Sequence, residues 1–330
     1  METFLIQCCW INHKNKGEGI SINRKVVVTG GAGFIGSHIA EELVSRGYQT
    51  VVIDDLSNGN LENIKHLLNK SNFHFIKGSV VDLPLLKKVC LDVDYIFHHA
   101  ALISVPLSID NPSRCHEVNL TGTLNVLIAS RDNGIKKVVF ASSSSVYGNN
   151  PLLPKTEDML PNPQSPYAVT KLAGEYYCDV FRAVFGLASI SLRYFNVYGP
   201  RQNPNSQYSA VIPKFIRAVK EDKPPEIFGN GQQTRDFVFV KDVVQANILA
   251  VESNYTGIFN IGSGERLSLN RVLRVILTQM NKKDIKPVYA RKRVGDIKHS
   301  LADIKKAQNF SYKPSYSFTR GLQETIESFK

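Results

Sequence analysis

Five cysteines in 330 residues, at positions 8, 9, 90, 115 and 178, are too few and too unevenly spaced for a disulfide framework. None forms a CxxC pair, so no metal site is expected. This scarcity excludes a cystine-stapled secreted scaffold and points to a reducing cytoplasm. No apolar run reaches the ~18 residues of a membrane span. The opening METFLIQCCWINHK carries a short apolar patch with no basic residue ahead of it and no small-residue cleavage site after it, which makes a poor signal peptide. Acidic residues are outnumbered, 29 against 40 Lys and Arg, for a net charge of +11. The basic residues are nevertheless scattered, in small groups such as Lys282–Lys283 and Arg291–Lys292–Arg293, and no basic tract interleaves with aromatics. That distribution argues against a nucleic-acid partner and for a small anionic substrate.

What is present is an alternation of strand-like and helix-like segments from Arg24 onward. KVVVTG (25–30) is β-branched, residues 35–46 carry a helical pattern closed by Gly47, and YQTVVID (48–54) is strand-like again. Further apolar runs at 73–76, 94–101 and 137–142 have helix-compatible segments between them. Near-continuous apolar strands separated by helices predict an α/β fold, a Rossmann-like doubly wound parallel sheet covered on both faces. After about residue 190 the alternation loosens, as expected of a smaller C-terminal α/β lobe over the carboxyl edge of the sheet. The expected division is an extension at 1–23, a mainly dinucleotide-binding domain at 24–190 and a mainly substrate-binding lobe at 191–330, with the chain crossing back to the main sheet.

VVVTGGAGFIGSHIAEEL follows the first strand and opens the first helix. Gly31, Gly33 and Gly36 satisfy G-x-G-x-x-G, and Gly30 adds a second register, G-x-x-G-x-x-G. Glycines permit the tight turn and the close approach of backbone to a pyrophosphate, which the helix amino terminus then holds. Asp54 ends the next strand, 24 residues after Gly30. A carboxylate there accepts from ribose hydroxyls and repels a 2′-phosphate, favouring NAD over NADP. Downstream, SPYAVTK (165–171) places Tyr167 and Lys171 four residues apart, on one face if the segment is helical. An ammonium near a phenol stabilises the phenolate and makes tyrosine a usable base at neutral pH. FASSSSVYG (140–148) reads as a strand end presenting hydroxyls, with no carboxylate between Ala141 and Asn149.

Together with HHAA (98–101), VNLTGT (118–123) and LRYFNVYGPRQ (192–202), these motifs resemble an extended short-chain dehydrogenase/reductase, nearest to the nucleotide-sugar 4-epimerases. AVIPKF (210–215), GQQTRDFVFVKD (231–242) and RVGDIKHSLADIKKA (293–307) further resemble UDP-N-acetylhexosamine 4-epimerases. The resemblance implies Ser143, Tyr167 and Lys171 as the catalytic set. Tyr167 takes the proton of the sugar 4-hydroxyl as hydride passes to NAD, Ser143 bonds that oxygen, and Lys171 holds the cofactor ribose and tunes Tyr167. It implies cofactor contacts at Gly30, Gly33, Phe34, Ile35, Gly36, Asp54, Asn58, Gly59, Ser79, Val80, Ala100, Ala101, Asn119 and Tyr194. For a UDP-sugar it implies Ser104, Ser144, Asn196, Val211, Asp296 and Ser300, with Arg235 and Arg293 on the diphosphate and Phe228 beside the uracil. The small Ser300 leaves room for an N-acetyl group, which favours UDP-GlcNAc and UDP-GalNAc, with UDP-Glc and UDP-Gal also open. Lys298 and His299 keep UDP-glucuronate open as well.

The missing carboxylate after Ser143 argues against the related decarboxylases and 4,6-dehydratases, and the intact catalytic set argues against a silent NAD-binding scaffold. Ser79 departs from the aspartate usual near the adenine. A homodimer is implied, pairing helices near 112–133 and 166–185.

Overall fold

A computed structural model describes residues 24–203, 210–291 and 297–329. The first half of the chain runs β1 (Lys25–Thr29), α1 (Phe34–Ser45), β2 (Gln49–Asp54), β3 (Phe73–Lys77), α2 (Leu83–Val89), β4 (Tyr95–His98), α3 (Val105–Asp110), α4 (Pro112–His116), α5 (Gly122–Asp132) and β5 (Lys137–Ser143). It continues with α6 (Pro166–Phe185), β6 (Ser189–Tyr194), β7 (Asn196–Tyr198), α7 (Val211–Lys220), β8 (Glu226–Phe228), β9 (Thr234–Arg235), β10 (Phe237–Phe239) and α8 (Val240–Glu252). The last elements are β11 (Gly257–Ile261), β12 (Leu267–Ser268), α9 (Leu269–Gln279), β13 (Val288–Ala290) and α10 (Phe318–Ser328).

Seven strands form one sheet in the order β11-β6-β5-β4-β1-β2-β3. Every pairing in it is parallel. Valines 26 to 28 of β1 are fully buried because helices cover both faces, which is why the strand reads as an unbroken apolar run. One core layer joins α1 and α8 to the sheet through Ile39, Leu43, Val243 and Ile248; the other joins α2, α5 and α6 through Leu86, Val126, Cys178 and Phe181. The order reverses between β1 and β4, so the carboxyl ends of those strands open a crevice there.

The later part of the chain both completes this sheet and builds the lobe. Strand β11 adds the seventh strand beside β6. The short pairs β7–β10, β8–β13 and β9–β12, with α7, α9 and α10, surround a separate core of Ile212, Phe215, Ile216, Val272 and Leu322. Helix α6 is set by its ends: Ser165 accepts from the Ala168 N–H, Pro166 occupies the first turn, and Gly186 closes it at φ +73°. The expected helix near 112–133 is interrupted by a π turn at Glu117–Thr121. No described helix is long and apolar enough to cross a membrane. Among the described residues no group of His, Cys, Asp and Glu could hold a metal ion.

Candidate active site

The turn after β1 is packed backbone against backbone. Gly30 has φ +68°, and a Cβ there would lie 2.6 Å from the Ala100 nitrogen; one at Gly36 would lie 2.3 Å from the Gly30 carbonyl oxygen. Gly33 caps α1 without any side-chain bond, so the first helical N–H groups and the positive dipole end face a cavity of about 850 Å³. That volume is at the upper end of the ~300–1,000 Å³ of ligand pockets. At its far side Asp54 accepts the Ala32 N–H at 2.9 Å and the Leu56 N–H at 2.8 Å. Burial raises its pKa, and those two N–H groups pull it back. Each carboxylate oxygen keeps a further lone pair. A Cβ at Gly59 would sit 2.7 Å from one of them, so glycine keeps the carboxylate approachable. A bare helix start, a cradle that a Cβ would fill and an acceptor at the end of β2 fit a dinucleotide. The cavity would hold pyrophosphate at Gly33–Gly36 and a ribose at Asp54.

All the residues expected at the cofactor line this cavity except Asn119. Asn119 lies behind the wall, where its amide accepts from the Leu102 N–H and donates to the Leu102 carbonyl and Thr170 Oγ1. It ties the loop after β4 to α6. Ser79 Oγ accepts from the Val81 N–H, a bond that does not use its own proton. His98 is buried between Thr29 and Thr123, and desolvation holds its pKa well below the ordinary value. Because Thr123 donates to the Asn119 carbonyl, His98 Nε2 must carry the proton and Nδ1 must accept from Thr29.

The catalytic candidates meet where α6 crosses the end of β5. Ser143 ends β5 and accepts from the Ser145 N–H; Ser144 opens the 3-10 turn that follows. Tyr167 lies beside Ser143; desolvation of the phenol raises its pKa, and Ser143 only partly offsets that rise. Lys171 is buried, whereas Tyr167 is half-buried, and desolvation drives Lys171 down from 10.5 to about 8. Its Nζ donates to the Ala141 carbonyl at 2.8 Å and stands 5.9 Å from the centre of the Tyr167 ring. This corrects the expectation that Lys171 lowers Tyr167 outright. In the protein alone, dehydration of the phenol outweighs a lysine whose donor points to the backbone.

The substrate-side candidates are spread over the lobe. Ser104 caps α3 and lines the cavity. Asn196 is exposed on β7, its N–H bonded to the Asp236 carbonyl, and Val211 opens α7. Phe228 ends β8, and its carbonyl accepts from Gln233. Arg235 is half-buried on β9 and donates to the Thr234 carbonyl. Ser300 is buried beside it, its N–H bonded to Thr234. Arg235 and Ser300 are thus held together, fixed from behind by fully buried Asp236, which accepts from Ser263, Gly264 and Ala302. Arg293 and Asp296 lie outside the described residues.

A buried charge pair behind the catalytic candidates escaped the sequence reading. Glu175 and Arg193, 0% and 1% exposed, form a two-pronged pair with N–O distances of 2.8 Å behind the strand ends. The available signal was the continuation of the four-residue spacing, Tyr167, Lys171, Glu175, on a single helix face.

The family model for "NAD dependent epimerase/dehydratase family" matches residues 26–262. A UDP-glucose 4-epimerase of Mycolicibacterium smegmatis is 38% identical, over 93% of this chain and 98% of its own. Among solved structures, a UDP-N-acetylglucosamine 4-epimerase from Methanobrevibacter ruminantium, in complex with UDP-N-acetylmuramic acid, is 45% identical with a TM-score of 0.90, covering 93% of this chain and 98% of its own. A Thermus thermophilus UDP-glucose 4-epimerase in complex with NAD is 35% identical with a TM-score of 0.84, covering 92% and 98%.

Proposed function

The chain belongs to the NAD dependent epimerase/dehydratase family, and from that premise we propose that it is an NAD-dependent UDP-sugar 4-epimerase with UDP-GlcNAc and UDP-GalNAc as its preferred pair. The observation that carries this reading is the joint of β5 and α6, where Tyr167 lies beside Ser143 and Lys171 stands next to them at the wall of the glycine-cradled cavity. When bound, NAD supplies a hydride acceptor that can return the hydride to the opposite face of the 4-keto sugar. The protein residues manage the proton and the geometry. Tyr167 takes the proton from the sugar 4-hydroxyl and gives it back, and Ser143 holds that oxygen. Lys171, charged at pH 7, supplies the ammonium that must shift toward the phenol and the cofactor ribose.

No carboxylate of the 142–149 turn competes for an acid role. Glu175 behind it is occupied by Ser142 and Arg193. Epimerisation needs no additional acid, whereas dehydration does. We read Arg235 and Arg293 as the diphosphate clamp, because guanidinium forks suit phosphate oxygens. The buried, small Ser300 beside Thr234 supports room for an N-acetyl group. A specific observation keeps UDP-glucuronate as a second reading: Lys298, Arg266 and Arg235 crowd His299 and add to the desolvation that depresses its pKa. Such a cation cluster suits a sugar carboxylate.

A bare apolar stripe on α6, Val169, Tyr176, Val180 and Val184, each more than half exposed, supports a homodimer through this helix. The test is to incubate the purified protein with UDP-hexoses, UDP-N-acetylhexosamines and UDP-glucuronate and to resolve the C4 epimers. Ser300→Tyr is expected to lose the acetylated pair and keep the plain hexoses. Equal loss of both overturns the Ser300 assignment, and no epimer from any UDP-sugar overturns the function.

A further inference from the structure

Successive residues at the end of β5 face successive turns of α6. The Ala141 carbonyl accepts from Lys171 Nζ at 2.8 Å, Ser142 Oγ donates to Glu175 Oε1 at 2.5 Å, and Ser143 lies beside Tyr167. The three α6 residues follow one another at four-residue spacing on one face, so a slip of strand against helix would break both bonds and part Ser143 from Tyr167. Glu175 is itself held across the sheet. Arg193, which pairs directly with Ser142 between β5 and β6, donates to both its oxygens at 2.8 Å. The guanidinium lies 4.7 Å from the centre of the Tyr147 ring, and Tyr147 donates to Asn260 on β11 at 2.6 Å.

Resting on the function read above, two of these contacts take part in the chemistry. Tyr167 must exchange a proton, and Lys171 must turn donors toward the cofactor. The Glu175 bonds have no such duty. We propose that Glu175 is a positioning residue: gripped by Arg193, it holds Ser142 and keeps Ser143 beside Tyr167 while the other two contacts change. It touches neither substrate nor cofactor in this role. Small misplacements at a reacting centre cost large factors in rate, so loosening this anchor lowers kcat and leaves sugar binding by the distant lobe intact.

The decisive variant is Ser142→Ala, which removes one bond and leaves the Glu175–Arg193 pair whole. Glu175→Gln is the second variant, although removing one charge of a buried pair endangers folding. Turnover is measured per cofactor-loaded site alongside wild type, and amide exchange of residues 168–171 is measured in cofactor-free protein. Ser142→Ala is expected to lower kcat about tenfold with KM changed less than about twofold, and to speed that exchange about tenfold. An unchanged kcat, a loss carried by KM, or unchanged exchange overturns the positioning role, whatever happens to Tm. Wild type in the same assay separates the two readings. If it turns over no UDP-sugar, the function itself fails; if it is active and Ser142→Ala equals it, only the role of Glu175 fails.

Discussion

Replacing Lys171 by Met removes a charge that the fold holds at a loss. Lys171 is 4% exposed, and its pKa falls from 10.5 to about 8, with desolvation the leading cause and Cys115 and Glu175 opposing. At ~1.4 kcal/mol per pH unit, that drop is worth roughly 3 kcal/mol against the folded state. The lost bond to the Ala141 carbonyl returns about 1–2 kcal/mol of the difference. Lys171→Met is therefore expected to stabilise the cofactor-free protein by about 1–2 kcal/mol at pH 7, a rise in Tm of roughly 1.5–3 °C for 330 residues. The sign with pH follows from linkage. The folded state binds fewer protons than the unfolded state between pH 8 and 10.5, so the lysine's penalty is full below pH 8 and fades as pH rises through that window. Calorimetry of cofactor-stripped wild type and variant at pH 7 and pH 10 measures both. The same variant is expected to lose at least about a hundredfold in turnover. A Tm that falls at pH 7, or a gain that persists undiminished at pH 10, refutes the reasoning that the lysine is buried for catalysis at the expense of stability.

Gly36→Ala forces a Cβ to 2.3 Å from the Gly30 carbonyl. Displacing the helix start weakens NAD binding by about 10–100-fold through the lost charge-assisted bonds, read as cofactor retained after gel filtration; wild-type retention contradicts the cradle. Tyr167→Phe keeps NAD binding and loses turnover by about 10²–10⁴-fold, and near-normal turnover rules out Tyr167 as the base. Because burial raises Tyr167, activity that needs the phenolate rises with pH until that group titrates, and a rate that falls steadily from pH 6 to 8 contradicts this. Val180→Glu, at an exposed point of the α6 stripe, is expected to convert the proposed homodimer to monomer in light scattering; a variant that stays dimeric places the interface elsewhere, and a monomeric wild type overturns the dimer.

The main sheet and the cofactor cavity were legible in the sequence because their physics is local. Valines 26 to 28 alternate with nothing, so they mark a strand covered on both faces, and Gly30, Gly33 and Gly36 stand at positions where backbone meets backbone. Tyr167 and Lys171 stood out by their four-residue spacing downstream of the glycine turn together with the family resemblance. What escaped depends on pairing across the sheet. Arg193 faces Ser142 only once β5 and β6 register, and Glu175 looks like any helical glutamate until that register is known. The tuning of Tyr167 was misread for a similar reason. Four-residue spacing says that two side chains share a face, and not that the lysine donor turns to Ala141 instead. Asn119, likewise, lies behind the wall, in the π turn at 117–121, and its bonds to Leu102 and Thr170 are long-range contacts that spacing does not reveal.

The central claim is that hydride leaves sugar C4 and returns to the same carbon within one site. Purified protein given UDP-N-acetylglucosamine deuterated at C4, in ordinary water and without added NAD, is predicted to yield the galacto epimer with deuterium retained at C4. Epimer that has exchanged its deuterium for solvent hydrogen, or no epimer at all, contradicts it.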